Sequence, residues 1–424
     1  MNAERTDTSY RAWLDIEPTS DFSIYNLPYG VFNRNGKKRV GVAIGDYVLD
    51  LAELHEAGMF AGTAVAGENV FARHCLNDFM SLGRAAWGQI RQRLLELLDA
   101  DNSELSQRQP LRDRALIRMR EVTLEMPVEV ADYIDFYTSR EHASNVGRLF
   151  RADAALPPNF VYMPLGYHGR SGTIFVSPHK VRRPKGQYRP DPTKPPIFGP
   201  TQRLDFELEV AFVVGQASEE GVPIPVDHAR DYIFGAVLLN DLSARDIQQW
   251  EYQPLGPFLG KSFATVISPW VVPLAALEPL RVPGVKQEPE PLPYLRLAED
   301  WAFDLHLEAW LKTVEMDAPT RLTKTNFRYL YWSVAQMLAH ATINGARMRV
   351  GDLFASGTVS GPTPDSLGCM LELSQAGRSP VLLPSGETRA FLEDGDQITL
   401  VGYGDVEGRR VGFGECVCTV VTAD

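Results

Sequence analysis

Two glutamates inside one strongly apolar run constrain this chain more than any other feature. Glu207 and Glu209 are two residues apart in FELEVAFVV, a run that predicts a strand. Alternate strand residues point to the same side, so the two carboxylates share a face that turns apolar at Ala211 and Val213. Carboxylates in an apolar environment cost on the order of several kcal/mol each unless they are paired or bind a cation. The motif alone also fits a half-exposed edge strand.

The following segment favours a cation site. A second apolar run, residues 234–239, predicts a strand that ends just before Asp241. Neither run contains an arginine or lysine that could neutralise the carboxylates. Lys261 follows among glycine and apolar residues, where a buried ammonium needs a partner or a function. These residues predict a metal site formed by Glu207, Glu209 and Asp241.

The composition excludes several classes of protein. The chain has 424 residues, and its formal net charge of -12 argues against a nucleic-acid surface. No apolar stretch approaches the roughly 18 residues needed to span a bilayer, and the first residues lack the layout of a signal peptide. The 4 cysteines are too sparse for a zinc site. We therefore expect a cytoplasmic protein with free thiols that binds neither nucleic acid nor membranes.

The chain divides by pattern near residue 126. Residues 1–126 predict a small barrel-like β module, with Asn35-Gly36 as a hairpin turn, followed by a helix with Asn77 as its N-cap. Residues 127–424 carry many short strands separated by Gly/Pro turns, which favours a sandwich or roll. The expected fold class is therefore mainly β, with scattered helices (α+β).

Two further elements are expected in the second part. A helix is predicted from about Thr325 to His340, because apolar residues there keep helical spacing. The proline-rich segments 181–203 and 278–293 are expected to be extended loops.

Residues 132–151 contain a candidate base. Thr138-x-x-Glu141 has capping-box spacing and predicts a helix that starts at 138–139, with His142 in its first turn. The positive end of the helix dipole disfavours an imidazolium there, which suits a proton acceptor, although a surface histidine fits equally. Arg151 falls on the opposite face of an ideal helix and joins the same site only if the helix ends first.

Residues 241–252 contain a candidate anion-binding face. Ser243-x-x-Asp246 predicts a short helix at 244–251, and Arg245, Gln248 and Tyr252 share one side of it. A cation, an amide and a phenol beside a carboxylate cluster suit an anionic substrate, but a solvated amphipathic face gives the same pattern.

The segment 356–373 adds a loop and a carboxylate. Gly357 and Gly361 flank Thr358, so the backbone there can approach a ligand closely. Glu372 follows in an apolar run that we interpret as a strand, where it could orient a histidine or equally form a salt bridge.

Several segments, taken in order, resemble signature segments of the fumarylacetoacetase family over nearly the whole chain. The chain departs from the family pattern at Ala264, where a glycine is expected. The segments that carry the resemblance are DYIDFYTSREHASNVGRLFR, LPPNFVYMPLGYHGRSGTI, RRPKGQYRP, FELEVAF, NDLSARDIQQWEYQPLGPFLGKSFATVISPW and SGTVSGPTPDSLGCMLEL.

The resemblance implies a role for each matching site residue. The divalent-metal ligands would be Asp135, Glu207, Glu209 and Asp241. Two further residues, Lys261 and Thr265, would lie close to the metal. The general base would be His142, held by Glu372. The groups that stabilise developing negative charge would be Arg245, Gln248 and Lys261. The substrate contacts would be Tyr137, Arg151, Tyr167, Gln248, Tyr252 and Thr358.

The resemblance also implies a fold, an activity and an assembly. It implies an N-terminal SH3-like barrel, a C-terminal mixed β-sandwich roll and a homodimer. The implied reaction is hydrolysis of the carbon–carbon bond of fumarylacetoacetate, a small diketo acid of tyrosine and phenylalanine catabolism. The metal would be Mg²⁺ or Ca²⁺, because carboxylates are hard oxygen ligands. The alternatives are acylpyruvate hydrolysis, hydration or decarboxylation of a 2-oxo acid, and a catalytically silent metal-binding scaffold.

Overall fold

The first part of the chain forms one antiparallel sheet. The computed structural model describes residues 7–150 and 156–423. The five strands of this sheet are β1 Tyr29–Arg34, β2 Lys37–Ile44, β3 Tyr47–Asp50, β4 Leu116–Arg118 and β5 Thr123–Glu125. They lie in the order β4-β3-β2-β1-β5. Asn35 and Gly36 link β1 to β2 with φ of 55° and 80°, which confirms the predicted two-residue turn.

Five helices accompany this sheet. They are α1 Leu51–Glu56, α2 Asn77–Met80, α3 Arg84–Leu98, α4 Ser103–Ser106 and α5 Gln109–Ala115. The single helix predicted after Asn77 is wrong, because Gly83 adopts φ of 82° and separates α2 from α3. Asn77 is not the N-cap either, since Leu76 occupies that position. The Asn77 amide instead donates to the carbonyls of Glu129 and Val350.

The second part contains an eight-stranded mixed sheet. Its strands are β6 Tyr133–Tyr137, β7 Leu165–His168, β8 Ile174–Val176, β13 Leu208–Val214, β14 Ile233–Asp241, β16 Thr265–Ile267, β17 Val272–Pro273 and β22 Leu353–Ala355. The order is β7-β6-β22-β13-β14-β16-β8, and β17 also pairs with β14. Every residue of β13 and β14 is buried, so these central strands are covered on both faces.

A second sheet of five strands packs nearby. Its strands are β9 His179–Arg182, β20 His306–Lys312, β21 Thr320–Asn326, β25 Gln397–Val406 and β26 Arg409–Val421, in the order β21-β20-β25-β26-β9. Short pairs complete the strands: β10 Lys185–Tyr188 with β11 Ile197–Pro200, β12 Leu204–Asp205 with β15 Ser243–Ala244, β18 Arg281–Val282 with β19 Ala302–Phe303, and β23 Val381–Leu382 with β24 Thr388–Arg389. Together these elements confirm the mainly β, α+β fold class.

The proline-rich segments are more regular than predicted. Segment 181–203 contains the β10–β11 hairpin, because most of its prolines lie in the connection and only Pro200, at the end of β11, falls among the paired residues. Segment 278–293 holds the 3-10 turn Glu278–Leu280 and the short strand β18.

Six helices belong to the second part. They are α6 Arg140–Phe150, α7 Ala229–Tyr232, α8 Arg245–Glu251, α9 Leu274–Leu277, α10 Val334–Thr342 and α11 Met370–Leu373. The helix predicted from Thr325 is wrong in its start. Thr325 belongs to β21, and α10 begins only after Ser333, whose side chain and that of Gln336 form a capping box. Phe327 lies in a 3-10 turn between the two elements.

The two parts of the chain share one apolar core. Phe234 of β14 packs against Tyr29, Phe79 and Trp87 of the first part, with ring centroids 5.2 to 5.9 Å apart. The boundary predicted between residues 126 and 127 stays a prediction. All 4 cysteines are buried and free, as predicted. Within residues 7–150 and 156–423, no helix has the length and apolar character that a bilayer crossing needs.

Candidate metal and catalytic site

Four buried carboxylates meet at one end of the eight-stranded sheet. Asp135 lies in β6, Glu207 immediately before β13, Glu209 within β13 and Asp241 at the end of β14. One oxygen of each lies within 4.8 Å of those of the other three. These elements are near neighbours in the sheet, with only β22 between β6 and β13, so the strand order itself assembles the cluster. The structure thereby brings together the three acids predicted from the pattern and the fourth implied by the resemblance.

Two buried cations reach this cluster from outside its strands. The Lys261 ammonium donates to Glu207 and, at 2.6 Å, to Oδ2 of Asp241. The Arg245 guanidinium lies 2.8 Å from Oε1 of Glu207. Burial alone would raise the pKa of Glu207, but Lys261 and Arg245 outweigh it and hold that pKa well below its usual range. The buried ammonium of Lys261 is therefore paired with two carboxylates, those of Glu207 and Asp241.

Asp135 and Glu209 each have one carboxylate oxygen without a hydrogen-bond partner. Oδ1 of Asp135 and Oε1 of Glu209 are buried without a hydrogen-bond partner. Burial, and then the neighbouring carboxylates, raise the pKa of both groups well above the usual range. The four carboxylates have one lysine between them, and two of their buried oxygens have no partner. A hard divalent cation would supply the missing positive charge and bind these oxygens, so the donor set fits Mg²⁺ or Ca²⁺.

Hydroxyls from two other strands of the same sheet fix Asp241. The Tyr167 hydroxyl in β7 donates to its Oδ2 at 3.1 Å, and the Thr265 hydroxyl in β16 donates to its Oδ1 at 3.0 Å. Tyr167 also lines a cavity of about 430 Å³ with Lys261, Arg170 and others. Both residues implied by the resemblance are thus beside the cluster. Ala264, next to Thr265, is buried.

The loop after β22 approaches Glu209 through its backbone. The amide of Gly357 donates to Oε2 of Glu209 at 3.1 Å. Gly357 has φ of 74°, and a Cβ there would overlap the carbonyl oxygen of Phe136. The loop carries the buried Thr358 to the same end of the sheet, and the predicted approach of its backbone to a ligand stays a prediction.

His142 and Glu372 form a buried pair beside the cluster. Nδ1 of His142 lies 2.6 Å from Oε2 of Glu372, although the two residues are 230 positions apart. The predicted capping box is wrong in its residues: α6 begins at Arg140, and the Ser139 hydroxyl accepts the amide of His142. The Thr138 hydroxyl is occupied elsewhere, since it donates to the carbonyl of Ser356.

Glu372 is held by several donors and is ionised. It lies in the single-turn helix α11 rather than in the predicted strand. Asn145 donates to Oε1 at 2.8 Å, and Ser360 donates to Oε2 at 2.7 Å. Burial would raise the pKa of Glu372, but His142 and these donors lower it overall. An ionised Glu372 accepts a hydrogen bond from the N–H of His142 Nδ1. The other ring nitrogen, Nε2, is then left without a proton and can accept one.

A thiol lies beside this pair and donates a hydrogen bond to it. Sγ of Cys369 is 3.3 Å from Oε2 of Glu372, so His142, Cys369 and Glu372 form a second group with metal-ligating spacing. Burial, and then Glu372, raise the pKa of Cys369 well above its usual range. A protonated thiol is a poor ligand, so the carboxylate cluster is the better cation site.

The helix α8 carries the predicted anion-binding residues. Its bounds agree with the prediction, but Ser243 does not cap it; the Ser243 hydroxyl donates to the carbonyl of Asp241. Arg245 is buried, and its Nη1 donates to Oε1 of Gln248 at 3.3 Å. The Gln248 amide nitrogen is then the part of that side chain left for a ligand. Tyr252 follows the helix with 48% of its surface exposed.

Two further substrate contacts were predicted, Tyr137 and Arg151. The ring of Tyr137 packs edge-on against His142, with centroids 5.3 Å apart. Arg151 lies outside the described residues.

Some site residues were missed at the sequence level. Asp205 is fully buried and binds Arg245, and it continues the alternation of Glu207 and Glu209 by one more step. That D-x-E-x-E pattern was a usable signal. Asn145 and Ser360 carried no such signal, since only the folded chain brings them to Glu372.

Comparisons with known proteins agree with this fold. Residues 25–127 match the family model described as fumarylacetoacetase N-terminal, and residues 133–421 match the one described as fumarylacetoacetate hydrolase C-terminal. The fumarylacetoacetase of Homo sapiens is 48% identical over 416 residues, covering 97% of this chain and 99% of that protein. The Arabidopsis thaliana fumarylacetoacetase is 47% identical over 414 residues, covering 97% and 98%.

A solved structure shares the fold. The fumarylacetoacetate hydrolase from psychrophilic Exiguobacterium antarcticum aligns with a TM-score of 0.53 at 17% identity, over 94% of this chain and 100% of that one. These findings first define the class, a hydrolase with a strand-rich two-part architecture. The chain belongs to the fumarylacetoacetate hydrolase family.

Proposed function

We propose that this protein hydrolyses the carbon–carbon bond of fumarylacetoacetate and releases fumarate and acetoacetate. The observation that carries the proposal is the buried His142–Glu372 pair beside four clustered carboxylates. The near full-length identity to curated fumarylacetoacetases supports the same substrate. The pair speaks against a silent scaffold, and the match of the N-terminal family model speaks against the shorter relatives with other chemistries.

Asp135, Glu207, Glu209 and Asp241 would hold a divalent cation, and Mg²⁺ or Ca²⁺ suits their oxygen atoms. Such an ion supplies Lewis-acid polarisation of the diketone oxygens and helps to orient them. Lys261 and Thr265 support the ligands by binding Asp241.

His142 is the general base. Its Nε2 takes one proton from water, and the water oxygen bonds to the carbonyl carbon next to the fumaryl double bond. Glu372 holds the opposite ring nitrogen at 2.6 Å and stabilises the imidazolium that forms. A positioned base of this kind contributes about 10²–10⁴-fold.

Negative charge then moves onto the leaving group. The bond between the attacked carbon and the methylene breaks, its electron pair forms the acetoacetate enolate, and the imidazolium of His142 returns a proton to that carbon. Arg245, Gln248 and Lys261 face the developing charge. Lys261 binds two carboxylates and retains one of its three N–H groups for this purpose. A preorganised donor is worth about 3–4 kcal/mol in the transition state.

The substrate carries a carboxylate at each end, and cationic and phenolic side chains recognise it. The proposed contacts are Tyr137, Arg151, Tyr167, Gln248, Tyr252 and Thr358. In this proposal the enzyme is a cytoplasmic homodimer of tyrosine and phenylalanine catabolism, with a non-catalytic module at 1–126 and a catalytic domain at 127–424.

Product analysis tests the proposal. Purified protein is incubated with fumarylacetoacetate, and the products are identified by mass. Equal amounts of fumarate and acetoacetate are expected. Release of CO₂, or a hydrated product with an intact carbon skeleton, would assign the protein to the decarboxylase or hydratase alternatives, and no turnover would support the silent scaffold.

A further inference from the structure

A fifth buried carboxylate connects two separate parts of the candidate site. Asp205 ends β12 and has no exposed surface. Its Oδ2 accepts Nε of Arg245 at 2.9 Å. The same carboxylate accepts two backbone amides at the start of α11, with Oδ1 2.7 Å from the nitrogen of Met370 and Oδ2 3.0 Å from that of Leu371.

Each of these contacts leads to a group with a proposed catalytic role. Arg245 forms ion pairs with Asp205 on one side and Glu207 on the other. The contact with Asp205 therefore limits how close the guanidinium can lie to the metal-ligand cluster. The α11 turn carries Glu372 one residue after Leu371, so Asp205 also fixes the segment that orients His142. A backbone shift of even 1 Å at such a point can reduce turnover about 10²-fold.

We propose that Asp205 is a positioning residue that sets the guanidinium of Arg245 and the Glu372-bearing turn α11 relative to each other. The inference rests on the proposed function for its catalytic consequence. Asp205 does not touch the reacting atoms; it acts through Arg245 and through the backbone of α11.

A purely structural role is the competing explanation, and the chain offers a matched control. Asp396 is also buried, and its carboxylate accepts Nε of Arg389 at 3.0 Å and the amide of Glu393 at 2.9 Å. Asp396 accepts two nitrogens of Arg389 and one backbone amide, where Asp205 accepts one arginine nitrogen and two amides, but Asp396 binds none of the proposed catalytic residues. Asp205→Asn and Asp396→Asn therefore remove equivalent charges and differ in what they position.

The experiment compares kcat, KM and Tm for the two variants and the wild type. Both substitutions are expected to lower Tm. Asp205→Asn is expected to lower kcat by about tenfold or more with KM changed little, because Arg245 and His142 act in the transition state. Asp396→Asn is expected to leave kcat within about twofold. Equal kcat for both variants would overturn the proposal, whatever their Tm.

A readout that needs no substrate separates this inference from the proposed function. The proton in the short His142–Glu372 hydrogen bond gives a low-field proton NMR signal, assigned by its loss in His142→Ala. Asp205→Asn should shift or broaden the signal, and Asp396→Asn should not. An unchanged signal in Asp205→Asn would contradict the positioning role even if the wild type did not cleave fumarylacetoacetate.

A second variant covers the case in which Asp205→Asn does not fold. Asp205→Glu keeps the charge but moves the carboxylate by one methylene, so it cannot reach Arg245 and both amides together. It should also lower kcat and shift the signal, and a Glu variant with wild-type values for both would overturn the proposal.

Discussion

In the proposed mechanism, His142 uses one ring nitrogen for orientation and the other for proton transfer, and this division makes a sharp prediction. His142→Ala should fold and bind metal normally yet lose about 10²-fold or more in turnover, because it removes the base and leaves the carboxylate cluster intact. Turnover, thermal unfolding and metal content by elemental analysis measure this. His340→Ala is a control, since His340 is also partly buried and its Nδ1 contacts the Tyr294 hydroxyl.

Two outcomes would remove His142 from its role. Near-normal turnover of a folded, metal-loaded His142→Ala enzyme would show that it only packs. A parallel fall in metal content and activity would show that it is a ligand. Glu372→Gln should lose less than His142→Ala, because the imidazole stays and only its alignment weakens.

The lowered pKa of Glu372 predicts how acid affects stability. A carboxylate whose folded pKa lies below its unfolded value, about 4.3, stabilises the fold above that value and loses this contribution as pH falls through the folded pKa. The stability gap between wild type and Glu372→Gln should therefore be constant near neutral pH and narrow below about pH 4.3. Urea unfolding across this range measures the gap; one that widens toward acid would contradict the ionised state.

Single residues differed in how far the sequence revealed them. Glu207, Glu209 and Asp241 were predictable because a charge inside an apolar run is conspicuous. The cations that neutralise Glu207 were not assignable as its partners, since Arg245 and Lys261 lie 38 and 54 positions further along the chain. Long-range contacts of this kind depend on the sheet order, which no local pattern contains.

Among the elements, the loop after β22 has the most demanding backbone. Gly357→Ala should destabilise the protein by more than Gly36→Ala, although both glycines have positive φ. At Gly36 a Cβ meets open space, so only the conformational penalty of about 1–2 kcal/mol applies. At Gly357 the Cβ also collides with the carbonyl of Phe136.

The same substitution should affect the site. Displacing Gly357 removes the amide bound to Glu209, so Gly357→Ala should weaken metal binding, and Gly36→Ala should not. Calorimetric stability and metal affinity are the two measurements. Equal costs for the two variants would show that the loop relaxes freely and does not hold Glu209.

Elements were predicted well where period and turn chemistry agreed. The Asn35-Gly36 hairpin followed from its turn residues, and α8 begins within one residue of its predicted start although Ser243 does not cap it. The helix expected from Thr325 failed because its apolar spacing continued through a strand end and a 3-10 turn, while the true start signal, the Ser333 N-cap, lay inside the pattern. Periodicity reports which side chains are buried and does not fix the backbone that buries them.

If the carboxylate cluster holds the proposed cation, activity and stability of the whole protein both depend on that ion. Chelation should abolish turnover and lower Tm, and Mg²⁺ or Ca²⁺ should restore both, because an ion that binds only the folded state stabilises it by mass action. Glu209→Gln should reduce the metal-dependent rise in Tm, since it replaces one of the two unsatisfied carboxylates. Full activity in a sample shown to be metal-free would exclude this role.

The central claim is that the assembled site adds water across one carbon–carbon bond of fumarylacetoacetate, and labelled water tests it most directly. The reaction is run in H₂¹⁸O, and the masses of the products are measured by mass spectrometry. Acetoacetate alone in the same water is the control for oxygen exchange. One ¹⁸O is expected in the new carboxylate of fumarate, and none in acetoacetate beyond the control. Unlabelled fumarate, or a labelled product that retains the full carbon skeleton, would contradict it.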